Sequence, residues 1–429
     1  MSIDPSELTV ARLGPATVPS PMENTTFVTG GRRVLVDAEL EAVRDALERG
    51  EEPPSFELAG PRERLFFRPE EVTAGIVTCG GLCPGLNDVI RAIVLSLEFH
   101  YGVRSIHGFR YGFEGLVEDC GHEPMRLDSE AVDHIEELGG TILGSSRGPQ
   151  EVGRMVDTLE RLGVTILFAI GGDGTLRGAR DMAAEITRRG LRIAVVGVPK
   201  TIDNDIDWIQ MSFGFQTAVA EAGKVIAAGH VEAKGARNGI GLVKLMGRHS
   251  GFIAAHAALA GSQVNFCLVP ECPFTLEAFL EALERRLERR GHAVVAVAEG
   301  AGQDLLGAGD ATDRSGNVRL ADIGVFLRDR ILARFGQSGI EANLKYIDPS
   351  YLIRSIPSNA FDASFCLLLG HNAVHAGMNG CTNVVVGFWR NEFTHVPIPL
   401  ATARRKQIDP DGRLWSTVLA ATGQPRRMR

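Results

Sequence analysis

Short apolar runs recur through the chain, and most of them end in glycine or in charged residues. Residues 73–78, 166–170 and 193–198 are the clearest runs, and segments with apolar residues at helical spacing follow the first two. This alternation predicts strands and helices in turn, and hence parallel sheets. Ligands of such sheets bind where the strands end at their carboxyl side. The loops that follow these runs are therefore the first candidates for a functional site.

The loop after residues 166–170 reads Gly-Gly-Asp-Gly-Thr. Its glycines, Gly174 among them, allow a phosphate to approach the main chain closely. Asp173 offers a carboxylate, the kind of ligand that Mg²⁺ prefers. This loop therefore indicates phosphoryl transfer from a nucleotide, although a purely structural turn is the alternative.

The loop after residues 193–198 supplies a cation, a hydroxyl and two carboxylates: Lys200, Thr201, Asp203 and Asp205. The alternation of the last three predicts strand-like spacing, with their side chains on one side. Two carboxylates so close need separate roles or a shared cation. Together the two loops contain the groups that a phosphoryl-transfer site requires. The alternative is a surface turn with capping aspartates.

Two further loops have the character of anion sites. After residues 73–78 comes Cys-Gly-Gly-Leu-Cys-Pro-Gly-Leu-Asn, then a helical pattern that Asn87 or Asp88 is predicted to cap. A glycine-rich turn before a helix N-terminus suits a phosphate, and a tight turn is the alternative. In Gly-Ser-Ser-Arg-Gly, Arg147 projects from small residues, and its planar fork suits phosphate. An exposed loop arginine is the plainer interpretation.

The alternation continues from residue 213 to about 352. Predicted strands at 238–245 and 293–298 lead into Met-Gly-Arg and Glu-Gly. Arg248, Lys345 and Arg354 follow or lie in strand-like or loop segments, and gathered together they would bind a substrate phosphate. Taken singly, each is more simply a surface charge. Residues 305–317 are predicted to form a loop, and 383–388 the last strand.

Composition narrows the class of protein. The 429 residues include 44% hydrophobic and 23% charged side chains, which is typical of a soluble globular protein. The formal charge of −8 disfavours nucleic-acid binding. No apolar run approaches the ~20 residues that span a bilayer, and the start lacks a signal-peptide pattern. We therefore expect a cytoplasmic protein, and the seven scattered cysteines fit free thiols.

The first 67 residues differ from the rest because prolines interrupt them repeatedly. They are either an arm wrapped on a larger body or a disordered tail. We predict an N-terminal extension over 1–67, one α/β domain over 68–212 and 353–400, and a second α/β domain over 213–352 and 401–429.

The motifs, taken in order, resemble those of the phosphofructokinases, which convert fructose 6-phosphate to fructose 1,6-bisphosphate. The likeness runs from about residue 72 to 386 and includes CGGLCPGLN, GSSRG, GGDGT, PKTIDND, MGRHSG, the Glu299-Gly300 pair and YIDPSYLIR. The proline-rich extension and PKTIDND resemble the branch with plant and trypanosomatid ATP-dependent enzymes. Pyrophosphate-dependent enzymes are close neighbours of that branch.

This resemblance implies two similar Rossmann-like three-layer α/β domains with mainly parallel sheets, and an active site in the cleft between them. The first domain would bind the nucleotide and the second the sugar phosphate. It also implies fructose 6-phosphate and ATP as substrates, Mg²⁺ as cofactor, and a homodimer or homotetramer. No nucleic-acid or membrane partner is expected.

Residue roles follow from the same resemblance. The nucleotide side would comprise Gly81, Arg147, Asp173, Gly174, Thr175 and Gly178, with Asp173 on Mg²⁺. Asp203 matches the base that takes the proton of the sugar 1-hydroxyl, with Thr201 and Asp205 as its companions, and Arg147 and Lys200 would offset charge on the transferring group. The sugar-phosphate side would comprise Met246, Gly247, Arg248, Glu299, Lys345, Tyr351 and Arg354.

The phosphoryl donor depends on Gly174. Pyrophosphate users of this family typically carry Asp at that position, where a carboxylate would occupy and repel the α-phosphate of a nucleotide. Pyrophosphate users also carry a lysine at the position of Lys200, which favours pyrophosphate as donor. A cation there does not exclude a nucleotide, however, so ATP is favoured. A pyrophosphate-dependent phosphofructokinase remains the first alternative, and a non-catalytic homologue the second. A lipid or NAD kinase shares only GGDGT.

Overall fold

The computed structural model describes residues 3–307, 312 and 318–428. The chain divides into two compact units. Unit 1 comprises the described residues up to Thr201, together with Ile206–Gly214 and Ile356–Arg405. Unit 2 comprises Ile202–Asp205, Phe215–Ser355 and the described residues from Lys406 onwards.

The strands, numbered along the chain, are β1 (Ala11–Arg12), β2 (Val18–Pro19), β3 (Arg33–Leu35), β4 (Ser55–Leu58), β5 (Arg64–Leu65), β6 (Thr73–Thr78), β7 (Ser105–Phe109), β8 (Met125–Arg126), β9 (Ile166–Gly171), β10 (Ala194–Pro199), β11 (Gly239–Leu245), β12 (Phe266–Leu268), β13 (His292–Ala298), β14 (Asn343–Ile347), β15 (Cys381–Thr382), β16 (Val384–Trp389) and β17 (Glu392–Pro397). Strands β11 to β14 belong to unit 2 and the others to unit 1.

The α-helices are α1 (Leu40–Glu48), α2 (Leu86–Leu95), α3 (Val152–Arg161), α4 (Asp173–Arg188), α5 (Phe215–Gly235), α6 (Phe252–Gly261), α7 (Leu276–Arg290), α8 (Ile323–Gln337), α9 (Ser350–Arg354), α10 (Ala360–Met378), α11 (Ile398–Ala401) and α12 (Arg413–Thr422). Among the described helices, none combines the length and the apolar character needed to cross a membrane.

Unit 1 is built on a nine-stranded sheet in the order β3-β4-β17-β16-β10-β9-β6-β7-β8. Its centre, β16-β10-β9-β6-β7, is parallel, and antiparallel strands flank it on both sides. Every residue of β9 and β10 is buried. Central parallel strands are covered on both faces, which explains why these segments read as continuous apolar runs.

Helices cover both faces of this sheet. Leu167 and Ala169 of β9 belong to one buried cluster with Leu159 of α3 and Met182 of α4. On the opposite face α10 packs so closely that a Cβ built on Gly377 would lie 2.7 Å from Ile166. Unit 1 therefore has three layers.

Unit 2 contains a four-stranded, entirely parallel sheet in the order β12-β13-β11-β14. Leu242 and Val295 pack with Phe279 of α7 and Leu327 of α8. On the other face Gly229 of α5 approaches β11. The predicted α/β class is thus confirmed for both units, although their sheets differ in size.

The N-terminal segment packs on unit 1 as an arm rather than forming a disordered tail. Its strands β3 and β4 extend the large sheet beyond β17, and β1 pairs with β15. Phe56 of β4 is fully buried, and its ring meets the rings of Trp208 and Trp389 edge-on at 6.1 and 5.8 Å. This aromatic cluster fastens the arm to the sheet.

Three local expectations were wrong or fall outside the structure. Helix α2 begins at Leu86 without a side-chain cap, because Asn87 instead accepts from Ile142 N and donates to Leu138 O, and Asp88 accepts from Ser358. The predicted last strand is followed by another, β17. The predicted loop 305–317 lies mostly outside the described residues.

Truncation of Phe56 tests how firmly the arm is attached. Phe56→Ala should lower the free energy of unfolding by about 3–5 kcal/mol, because it leaves a cavity against two tryptophans. Tryptophan fluorescence in a urea titration measures the loss. Phe361→Ala, at a phenylalanine that is 52% exposed, is the matched control and should change little. Equal midpoints for the two variants would contradict the role given to the aromatic cluster.

Candidate active site

Three polar loops leave adjacent strands of unit 1 at the same sheet edge. In the sheet, Thr78 at the end of β6 pairs with Ile170 of β9, and Gly171 pairs with Pro199 of β10. The loops continue this ladder, since Cys79 N donates to Ile170 O at 3.0 Å and Lys200 N to Gly171 O at 3.0 Å. The register of the parallel strands therefore places the three loops side by side.

Two cations lie beside the glycines of the first loop. Lys200 Nζ donates to Gly81 O at 2.8 Å, and a Cβ built on Gly81 would lie 3.3 Å from Arg147 Nη2. The arginine loop is tied to this turn, because Gly80 N donates to Ser146 O at 3.1 Å. Unit 1 thus combines bare backbone with an ammonium and a guanidinium, which suits a polyphosphate.

Asp173 is the first residue of α4, where the helix dipole favours a negative charge. Its Oδ2 lies 2.8 Å from Arg177 Nη2 and 3.3 Å from Arg405 Nη2. Gly174 beside it is exposed, and a Cβ built there would meet nothing within 4 Å. The helix N-terminus therefore presents a carboxylate next to open space.

The other two residues assigned to the nucleotide side have structural neighbours. Thr175 is buried beneath Gly171, where an added Cβ would lie 2.2 Å from its Oγ1. A Cβ on Gly178 would come within 2.6 Å of the Phe113 ring. At 178, helix packing is therefore sufficient reason for a glycine.

Unit 2 contains a group of acidic and basic side chains around Asp203. Asp203 is half-buried, and among the described residues its enclosed Oδ1 has no hydrogen-bond partner. Burial, and then the charges of Asp205 and Glu299, raise the pKa of Asp203 to about 7, although Arg354 and the Arg248 amide act in the opposite direction. Such a carboxyl group is poised to exchange a proton near neutral pH.

The loops after β11 and β13 fit together closely beneath this group. Gly247 has φ +122°, which L side chains rarely adopt. Gly300 N donates to Gly247 O at 3.0 Å, and a Cβ on Gly300 would lie only 1.9 Å from Arg248 O. Met246 is fully buried, so it anchors its loop, and Arg354 Nη2 lies 4.0 Å from Glu299 Oε1.

Two predicted sugar-side residues are not drawn into this group. Tyr351 is 82% exposed and Lys345 is exposed as well. Within the described part of the chain, neither side chain makes a hydrogen bond or an ion pair. The structure of one chain therefore brings Asp203, Asp205, Arg248, Glu299 and Arg354 together, and leaves these two apart.

The strand-like spacing predicted for Thr201, Asp203 and Asp205 is wrong. The segment is a turn in which Asn204 has φ +54°. Thr201 belongs to unit 1, where its carbonyl accepts from Ser212 Oγ at 2.6 Å, whereas Asp203 and Asp205 belong to unit 2. The two carboxylates approach each other because of the turn rather than because of a period of two.

The family model described as phosphofructokinase matches residues 73–377. The chain belongs to the phosphofructokinase family. A relative from Amycolatopsis methanolica, named ATP-dependent 6-phosphofructokinase, is 52% identical over 93% of this chain and 89% of its own length. A Trypanosoma cruzi relative of the same name is 48% identical over 89% of this chain and 79% of its own. The resemblance predicted from the motifs is thereby confirmed.

The fold also matches solved members of the phosphofructokinase family. A pyrophosphate-dependent phosphofructokinase from Marinobacter aquaeolei superposes with a TM-score of 0.69 over 82% of this chain and 91% of its own. Its sequence is only 20% identical, so the likeness concerns the fold.

Sequence reasoning missed two arginines that contact Asp173. Arg177 follows it by four residues on α4, so helical spacing alone could have indicated the pair. Arg405 lies 232 residues away along the chain, and no local pattern indicates it. Both would compete with a cation for this carboxylate.

The positions of the possible metal ligands limit where a metal ion could bind. Among the described residues no group of three or more His, Cys, Asp or Glu side chains converges as a metal site. Mg²⁺ is commonly held by one or two carboxylates together with substrate phosphates, so a lone Asp173 beside open space fits this cation.

The raised pKa of Asp203 predicts how kcat/KM depends on pH. If ionised Asp203 is the base, kcat/KM should fall as pH drops below about 7. Asp205→Asn removes a like charge, so it should lower the pKa of Asp203 and move this acid limb to lower pH, whatever it does to the maximal rate. Asp329→Asn, at an exposed aspartate, should leave the limb in place. An unmoved limb in Asp205→Asn would contradict the assignment.

Proposed function

We infer that the chain is an ATP-dependent 6-phosphofructokinase. It transfers the γ-phosphoryl group of ATP to the 1-hydroxyl of fructose 6-phosphate and releases ADP and fructose 1,6-bisphosphate. Support comes from the family and from relatives of that name at about half identity. The observation that carries the chemistry is the half-buried Asp203 carboxylate, whose pKa is raised to about 7.

Asp203 acts as the general base in this proposal. Its carboxylate accepts the proton of the sugar 1-hydroxyl as that oxygen forms a bond to the γ-phosphorus, and the bond to the ADP oxygen breaks in line. Asp205 and Glu299 raise the basicity of Asp203, so the group can accept a proton near neutral pH. Arg248 and Arg354, supported by Met246 and Gly247, bind the sugar phosphate, whereas Lys345 and Tyr351 lie apart from this group in one chain.

The groups gathered in unit 1 bind the donor. Lys200 and Arg147, beside Gly81, neutralise charge on the phosphates and on the transferring group, and Thr201 assists. Gly174 and Thr175 present the N-terminus of α4 to the nucleotide, a position that favours anions. Asp173 would hold Mg²⁺, which supplies charge neutralisation on the donor phosphates when it is bound.

Gly174 supports ATP over pyrophosphate as donor. Its exposed position beside open space leaves room for a nucleotide next to Asp173. Lys200 donates to a backbone carbonyl and does not obstruct that space. Pyrophosphate use is the second candidate, because of that lysine. We also propose a homodimer or homotetramer, a cytoplasmic location, and the nucleotide-binding and sugar-phosphate-binding roles of the two predicted domains.

Removing the base separates chemistry from binding. Asp203→Asn should lower kcat by roughly 100-fold or more, because proton transfer in the transition state is lost. The KM for fructose 6-phosphate should change much less, since Asn keeps the shape of the side chain. A coupled assay for fructose 1,6-bisphosphate or ADP measures both constants. Near-normal turnover in this variant would show that Asp203 is not the base.

Changing Gly174 tests the donor. Gly174→Asp should abolish ATP use, because a carboxylate then occupies and repels the α-phosphate. Assays with ATP and with pyrophosphate, each with fructose 6-phosphate, give the donor directly. Gly174→Ala is the matched control, because it adds bulk without charge in open space. An unchanged KM for ATP in Gly174→Asp, or wild-type activity with pyrophosphate alone, would defeat the exclusion argument.

A further inference from the structure

A cleft of about 450 Å³ lies within the N-terminal part of unit 1, and none of the residues proposed for catalysis lines it. Five arginines contribute to its wall: Arg12, Arg32, Arg33, Arg62 and Arg64. We call it the arginine cleft. Its volume is in the range of small-molecule sites.

Only part of this positive charge is neutralised within the cleft. Glu57 accepts from Arg12 Nη2 at 2.5 Å and from Arg62 Nη2 at 3.0 Å. Arg62 also donates to Leu58 O at 2.6 Å and Val28 O at 3.0 Å. Arg12 and Arg62 therefore hold the arm together. Glu57 is shared further with His395, so it is fully engaged.

The remaining three arginines have donors to spare. Arg33 bonds to Ser55, and Arg64 uses one nitrogen, Nη1, to reach Thr17 O at 3.2 Å. Arg32 is exposed, and its guanidinium has no protein acceptor among the residues that the structure describes. Glu63 is the one further acid in the lining. A surplus of positive charge therefore faces this cavity.

The rest of the wall admits a ligand close to the backbone. Gly30 and Gly31 line the cleft, and a Cβ built on either would meet nothing within 4 Å. Phe27 adds a half-buried aromatic ring to the same wall. Guanidinium groups recognise phosphate by paired hydrogen bonds, and a ring offers a flat face to an apolar substituent.

We propose that the arginine cleft binds a small phosphate monoester. Arg32, Arg33 and Arg64 bind the phosphate, and Phe27 packs against the organic group that bears it. The site requires neither of the reaction's substrates and does not depend on the proposed function, because the cleft is lined by the arm and by Asn379, and none of these residues belongs to the catalytic groups.

Calorimetric titration of the full chain with inorganic phosphate and with phenyl phosphate tests the proposal. Phenyl phosphate should bind more tightly than phosphate, because only it can use Phe27, and Phe27→Ala should remove the difference. Arg32→Ala/Arg64→Ala should weaken both by about tenfold or more, because two charge-assisted contacts are lost. Phosphate bound at the donor or sugar site remains in all variants, so only the difference is assigned to the cleft.

The matched control is Arg104→Ala/Arg285→Ala, which removes two exposed arginines outside the cleft and should leave affinity unchanged. Hydrogen exchange on the unaltered protein gives an independent result, since phenyl phosphate should slow exchange over residues 27–33. Equal affinities in the two double variants, or no protection over 27–33, would overturn the proposal. So would a change in sedimentation of Arg32→Ala/Arg64→Ala without loss of phosphate affinity, because the arginines would then bind a second copy of the chain.

Discussion

The proposed chemistry depends on one constraint. The Asp203 carboxylate is partly shielded from solvent and lies near the carboxylates of Asp205 and Glu299. Ionising Asp203 there costs free energy, and within the described part of the chain its enclosed Oδ1 has no hydrogen-bond partner to offset that cost. Arg354 and the amide of Arg248 offset part of it. The protein tolerates this arrangement because the loops after β11 and β13 are locked together at Gly247 and Gly300.

The parallel sheets explain why so much of the site could be predicted. Strands β6, β9 and β10 are buried on both faces, so each stands out as an apolar run, and the polar loop after each is equally conspicuous. Adjacent parallel strands then place these loops at one edge without further information. Motif order gave the family, and the matched relatives confirm it.

Contacts between distant parts of the chain could not be predicted in this way. Arg405 reaches Asp173 across 232 residues, and Glu57 contacts Arg12 and His395, which lie 45 and 338 residues away along the chain. Two local rules failed. Asn87 does not cap the helix, because its side chain donates to Leu138 O and accepts from Ile142 N. Asn204 adopts a left-handed backbone conformation, so the segment predicted to be extended turns. The partners of Asn87, Leu138 and Ile142, lie more than 50 residues away, so no local pattern indicates them.

The pKa of Asp203 is the quantity that tests this account most directly. Carbon NMR of protein labelled at the aspartate carboxyl carbons, recorded across pH for the unaltered chain and for Asp203→Asn, would assign it. We predict one aspartate resonance that titrates near pH 7 and is missing from the variant. If every aspartate titrates in the ordinary range for that side chain, with none near neutrality, Asp203 is not the poised base described above.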